Sequence, residues 1–180
     1  MDLAPILAAA GVPLLGWTTH GTWLACRLAT ARRDPLTGLL TRDGFTARAE
    51  RLIRTHPARA TVLLVDLDDF KKVNDTHGHA AGDAVLTATA ERLTAWCGSS
   101  GIAARLGGDE FAAVALDSAD RIPQLHAALR RPVDLGGLVL DVSASVGASR
   151  PAALLLTEAL SAADRDMYAH KPGGRTSRRR

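Results

Sequence analysis

Three aspartates within four residues, Asp66, Asp68 and Asp69, close an apolar run, and a second acidic pair, Asp109-Glu110, follows Gly107-Gly108. Carboxylate oxygens are the ligands hard divalent cations prefer, and Mg²⁺ commonly takes one or two of them together with substrate phosphates. The first group ends Thr61-Val62-Leu63-Leu64-Val65, which reads as a strand buried on both faces. The second follows a tight turn between two further strands, Ile102 to Leu106 and Phe111 to Leu116. Paired glycines give such a turn a backbone shape that side chains would block, and they let a ligand come close. Acids at these two places could meet across neighbouring strands and complete a metal site. Each group alone has a plainer reading: a solvated acidic loop for the first, a hairpin turn for the second. A calcium-binding EF-hand loop fails, because Phe70 and Lys71 stand where its third ligand and its glycine belong. His77 stands where its closing glutamate belongs.

The elements that must carry these acids follow from periodicity. Asp34-Pro35-Leu36-Thr37-Gly38 reads as a helix entry, with Asp34 as N-cap and Pro35 at the first helical position. The helix after it places Phe45, Ala49, Leu52 and Ile53 on one face and closes at His56-Pro57. A second helix opens at Gly82-Asp83 and runs to about Cys97, with Leu86, Ala90, Leu93 and Cys97 at helical spacing. A helix around Ile122 to Arg130 leads into a strand from Leu138 to Val146. The last helix buries Leu156, Leu160, Ala163 and Met167, and Pro172-Gly173-Gly174 ends it. Helices alternate with strands, yet two strands form a direct hairpin. The expectation is therefore an α+β fold, a central, mostly antiparallel sheet flanked by helices.

Composition bounds the rest. Of 180 residues, 47% are hydrophobic and 23% charged, which excludes a disordered or fibrous chain. The formal charge of +3 is more than accounted for by Arg175, Arg178, Arg179 and Arg180, so the body is near neutral and no specific nucleic-acid binding is expected. Cys26 and Cys97 have neither metal-site spacing nor the density of a disulfide scaffold, and they read as small apolar residues in a reducing compartment. Neither a hydrolase nucleophile elbow nor an HExxH motif occurs. From Leu3 to Cys26 no residue is charged apart from the titratable His20. As a helix this run is long enough to span a bilayer. Arg27, Arg32 and Arg33 would then keep the domain in the cytoplasm, at the inner face of the cell membrane. Pro5, Gly11, Pro13, Gly16 and Gly21 dilute the run, so a helix that packs on a partner or on the domain fits equally well. The organisation is thus residues 1–33 as an apolar segment (anchor or dimerisation helix), 34–175 as the domain, and 176–180 as a basic tail.

The stretch Arg105-Leu106-Gly107-Gly108-Asp109-Glu110-Phe111 resembles the signature of the GGDEF diguanylate cyclases. The family's other segments stand in order: Asp34-Pro35-Leu36-Thr37-Gly38-Leu39, Asp66 to Asp75, and Gly78-His79-Ala80-Ala81-Gly82-Asp83. Ser145-Val146-Gly147 and Ala163 to Lys171 follow. The resemblance implies a fold like the palm of nucleotidyl cyclases and polymerases, and a reaction that condenses two GTP into cyclic di-GMP and pyrophosphate across a homodimer. It implies Mg²⁺, with Mn²⁺ as a substitute, held by Asp66, Asp109, Glu110 and the Leu67 carbonyl. Asp109 and Glu110 would be catalytic, with Asp109 helping to deprotonate the ribose 3′-hydroxyl, and Lys71 would offset charge on the phosphate. Backbone amides of Asp69, Phe70 and Lys71 would cradle phosphates beside the Gly107-Gly108 turn, and Lys171 and Arg175 would reach them too. Asn74 and Asp83 would read the guanine edge, as groups that accept from its N1–H and amino group. Apart from the resemblance, Asp83 reads as a helix N-cap, Asn74 as a turn residue, and Lys171 and Arg175 as cations at a helix C-terminus.

The chain departs from the family's pattern in places. Thr41 stands where Asn is usual, and Asp166 and His170 replace small apolar residues of the last helix, so effects on packing or dimer contacts are expected there. Gly98-Ser99-Ser100-Gly101 occupies the positions where many members carry Arg-x-x-Asp for inhibition by product. A non-catalytic module that binds GTP or cyclic di-GMP is the alternative; such modules typically lose signature acids, and none is lost here. Whatever promotes pairing is expected to be the N-terminal segment, a partner protein or concentration.

Overall fold

The computed structural model describes residues 32–151 and 155–171. The run 3–26, with its membrane and pairing readings, lies outside the described residues, as do Arg175 and the basic tail. Among the described residues no helix is long and apolar enough to cross a membrane.

In chain order the elements are α1 (Arg42–Thr55), β1 (Ala60–Leu67), α2 (Phe70–His77), α3 (His79–Cys97), β2 (Ile102–Gly107) and β3 (Glu110–Leu116). Then come α4 (Ile122–Leu129), β4 (Val133–Asp134), β5 (Val139–Leu140), β6 (Ala144–Ser149) and α5 (Leu156–His170). The main sheet runs β2-β3-β1-β6 with every neighbouring pair antiparallel, while β4 and β5 form a separate ribbon. The alternation along β1 divides the core in two. Leu63, Val65 and Leu67 point to a layer with Val85, Leu86, Ala90 and Leu93 of α3 and Leu125 of α4. Ala60 and Val62 point to the other, with Phe45, Ala49 and Ile53 of α1 and Leu156 and Ala159 of α5. Val62 and Leu63 have no exposed surface, and burying side chains of this kind contributes about 1.5–3 kcal/mol each. Cys97 is buried in the same core, and burial pushes its thiol up to about 12 despite the nearby Arg121, so it is inert at neutral pH.

Three local expectations are corrected. Asp34 does not cap a helix. It closes a tight turn in which its carboxylate accepts from the Thr37 N–H and hydroxyl, and Gly38 turns left-handed at φ 69°. Thr41 caps α1 instead, its hydroxyl accepting from the Gly44 N–H, a role that Asn or Thr can fill alike. The second long helix begins at His79, so Asp83 stands inside it and is not its N-cap. The stretch from Leu138 to Val146 is not one strand but two pieces, β5 and the start of β6. The segment before α1 then serves the sheet: Leu40 donates to the Ala103 carbonyl and accepts from the Arg105 N–H, covering the β2 edge.

Candidate active site

The β1 register sets Asp66 directly opposite Glu110 on β3 and Ser145 on β6. Residues so paired share one face of a sheet with Cβ atoms about 4.5–5.5 Å apart. Asp66 and Glu110 line one cleft with Arg42, Leu106, Asp164 and Met167. Asp109 enters from the turn, where the Leu67 N–H donates to its carbonyl at 3.3 Å. Gly107 and Gly108 have φ of 150° and 52°, so only glycine suits this bend. Arg105 holds it: Nε and Nη2 donate to the Gly108 carbonyl at 2.9 and 2.8 Å, and Nη1 reaches both Asp34 oxygens at 3.3 Å. Burial of Asp34 works to raise its pKa, but the bonds from Thr37 and the Arg105 charge outweigh it and hold the carboxyl below its ordinary value. The entry turn and the two-glycine turn are thereby one unit.

Lys171, delivered by the end of α5, donates to Asp66 Oδ1 at 2.5 Å. That bond raises the pKa of the ammonium against partial burial, and the charges of Asp68 and Asp109 add to it. The acids of the two motifs therefore converge around one cation. Asp68 has other partners as well: Ser143 and Ser145 hydroxyls donate to its two oxygens at 2.7 Å each. Arg42 faces Glu110 at 3.9 Å, with both side chains more than half exposed, so the pair adds little stability.

Asp69 turns left-handed (φ 54°) and starts α2, whose first turn carries Phe70 and Lys71, the latter exposed. On the next turn Asn74 leans against α3. A Cβ built on Gly82 would collide with Asn74 Oδ1 and come within 3.2 Å of Phe70 Cζ. Asn74 is thus held beside Asp83, which is exposed on α3. Gly82→Ala is expected to push the Asn74 amide out of place, while a thermal melt shifts only slightly. Were Asn74 to read guanine, as the resemblance implies, GTP binding would weaken about tenfold with ATP binding unchanged, which titration with both nucleotides checks.

Of the residues singled out in the sequence, Asp66, Leu67, Asp109, Glu110, Gly107, Gly108 and Lys171 come together at the strand ends. Phe70, Lys71, Asn74 and Asp83 stand on the neighbouring helix pair, and Arg175 lies outside the described residues. Arg105 and Asp68 were not assigned roles, although Arg105 sits in the signature and Asp68 in the first acidic group. Their partners, at positions 34, 143 and 145, come from distant parts of the chain that only the fold brings near. Among the described residues no three acidic, histidine or cysteine side chains form a finished cation cage. The donor set still fits Mg²⁺, which takes one or two carboxylates and lets substrate phosphates complete its shell.

The chain matches the family described as diguanylate cyclase, GGDEF domain, over residues 31–177. It is 58% identical over 179 residues to an uncharacterized 19.3 kDa protein of Streptomyces ambofaciens, covering 97% of this chain and 96% of that one. It is 40% identical over 154 residues to diguanylate cyclase DgcN of Escherichia coli, covering 80% of this chain but only 38% of that longer protein. A crystal structure of a sensory box/GGDEF family protein from Caulobacter crescentus CB15 superposes with TM-score 0.70 at 35% identity, covering 77% of this chain and 97% of the other. The convergent acids, the two-glycine turn and these likenesses agree, and the chain belongs to the GGDEF family of diguanylate cyclase domains.

Proposed function

We infer that this chain condenses two molecules of GTP into cyclic di-GMP and two pyrophosphates, each of two copies holding one GTP. The observation that supports this reading is that Asp66 and Asp109 both act on the Lys171 ammonium, with Glu110 opposite Asp66 across β1 and β3. Asp66, Asp109, Glu110 and the Leu67 carbonyl would hold Mg²⁺, or Mn²⁺ in its place. Held there, such an ion would supply polarisation of the attacked phosphate and a lower pKa for the ribose 3′-hydroxyl. The chain's own groups do the remaining work. Asp109 accepts the hydroxyl proton. Lys71 and Lys171 balance the phosphate charge. Amides of Asp69, Phe70 and Lys71 hold phosphate oxygens, and Asn74 and Asp83 accept from the guanine edge.

Incubating the purified protein with GTP and Mg²⁺ and identifying products by mass spectrometry tests the reading. Cyclic di-GMP is expected, at a rate that rises with the square of protein concentration while copies are mostly unpaired. Nucleotide bound without turnover points instead to a regulatory binding module, and turnover of ATP to a different cyclase.

A second expectation concerns inhibition. Gly98–Ser100 forms one short helical turn, followed by Gly101, and this stretch offers no guanidinium to clamp a phosphate or guanine. Initial rates are therefore expected to be unchanged by added micromolar cyclic di-GMP; submicromolar inhibition through this surface would refute it.

A further inference from the structure

We propose that Asp68 is a positioning residue, which with Ser143 and Ser145 fixes the corner where the chain leaves β1 for α2. The proposal rests on the nucleotide reading above and adds to it a clamp that sets how the phosphate-holding amides are presented. Asp68 makes three bonds to one short segment. Its N–H donates to the Ser143 carbonyl at 3.0 Å, and its oxygens accept from Ser143 and Ser145 hydroxyls at 2.7 Å each. Ser143 immediately precedes the edge strand β6 and Ser145 lies within it, and β1 already pairs that strand through Asp66 and Ser145. The next residue, Asp69, must then adopt φ of 54°, a left-handed conformation that a non-glycine residue keeps only where its surroundings hold it. Its carbonyl accepts from the Lys72 and Val73 N–H groups at 2.8 and 3.3 Å, so the direction of α2 is set at this one residue. Loosen the clamp, and the first turn of α2 loses its fixed approach to the nucleotide. Asp68 makes these contacts with its own serine partners, and its charge also acts on Lys171, the cation bound to Asp66.

The test compares Asp68→Asn with the double change Ser143→Ala/Ser145→Ala, and both with their combination. The serine pair removes the clamp without touching any carboxylate, so an effect shared with Asp68→Asn is the clamp's own. Each is expected to raise KM for Mg·GTP about tenfold, as small misplacements of binding groups do, with kcat within about twofold. The combination should be no worse than the stronger of the two, since both break one contact set. The Mg²⁺ concentration for half-maximal rate at saturating GTP should stay unchanged. A shifted Mg²⁺ requirement in Asp68→Asn alone would mean that this carboxylate ligates the ion directly and would overturn the proposal. Additive effects, or KM unchanged in both variants, would overturn it too. Hydrogen exchange supplies a readout free of activity: the Lys72 and Val73 amides should lose protection in both variants, while those of α3 keep theirs. If the unaltered protein neither binds nor turns over GTP, the nucleotide reading fails. The clamp is then judged by exchange alone, with unchanged protection counting against it.

Discussion

Asp66→Asn is expected to cut the rate of cyclic di-GMP formation roughly 10³-fold while leaving the fold intact, a loss of about 4 kcal/mol at 1.36 kcal/mol per tenfold. The size follows from what one oxygen does. Asp66 stands at the rigid end of a strand paired on both sides, so its carboxylate is aimed without help from a loop. It faces Glu110, and Lys171 already marks the same spot as one that favours a cation. An amide at this position keeps the shape and one acceptor but withdraws the charge on which cation binding depends. The cost to stability should be small. The pair it forms with Lys171 is partly exposed, and such pairs contribute little. Affinity for GTP without a divalent cation should change by no more than a few-fold, because the groups proposed to read guanine and the amides of α2 proposed to hold phosphate are untouched. Steady-state rates, a thermal melt and GTP titration in chelator together check the claim. A near-normal rate would show that the acids at the strand ends do not do the chemistry.

That expectation could be framed from the sequence alone, and the reason is local. The run before Asp66 and the hairpin around Gly107-Gly108 are strong short-range signals, and both acids lie at the ends of well-marked strands. The register itself was not legible, because β1 and β3 are buried on both faces and a slip would still keep their apolar residues inside; the fold sets Asp66 opposite Glu110. What failed to read correctly depends on partners far along the chain. Asp34-Pro35 carries the usual marks of a helix start, yet Arg105, distant in sequence, and the edge of β2 recruit it as a turn. Asp83 looks like an N-cap because Gly82 precedes it, but that glycine is present so that Asn74 can lie against the helix. Three aspartates in one stretch look alike on paper. In the fold Asp66 serves the cleft, Asp68 a serine clamp and Asp69 a left-handed corner. The departure at Asp166 also finds its reason: its carboxylate accepts from the Ala148 N–H on β6, which among the described residues is an edge strand of the sheet.

The same edge strand carries the largest expected effect on stability, at Gly147. A Cβ there would fall 2.6 Å from both Met167 Cβ and the Met167 N, and closer still to the Ala163 carbonyl oxygen. Two of these three neighbours are helix backbone, which cannot swing aside as a side-chain tip can. Gly147→Ala must therefore push α5 off β6, and overpacking of this kind costs about 3 kcal/mol. For a chain of this size the melting temperature should fall by roughly 6–12 °C. Activity should fall by more than the unfolded fraction explains, because Lys171 directly follows α5, whose seat on β6 sets where that ammonium lies. Adding Met167→Gly, measured against Met167→Gly alone, distinguishes the cause. It takes away the colliding Cβ and leaves both backbone contacts, so it should recover little of the lost stability. Full recovery in the double variant would show that the helix backbone is not what forbids a side chain at Gly147, and that the fit of α5 against β6 is looser than these contacts require.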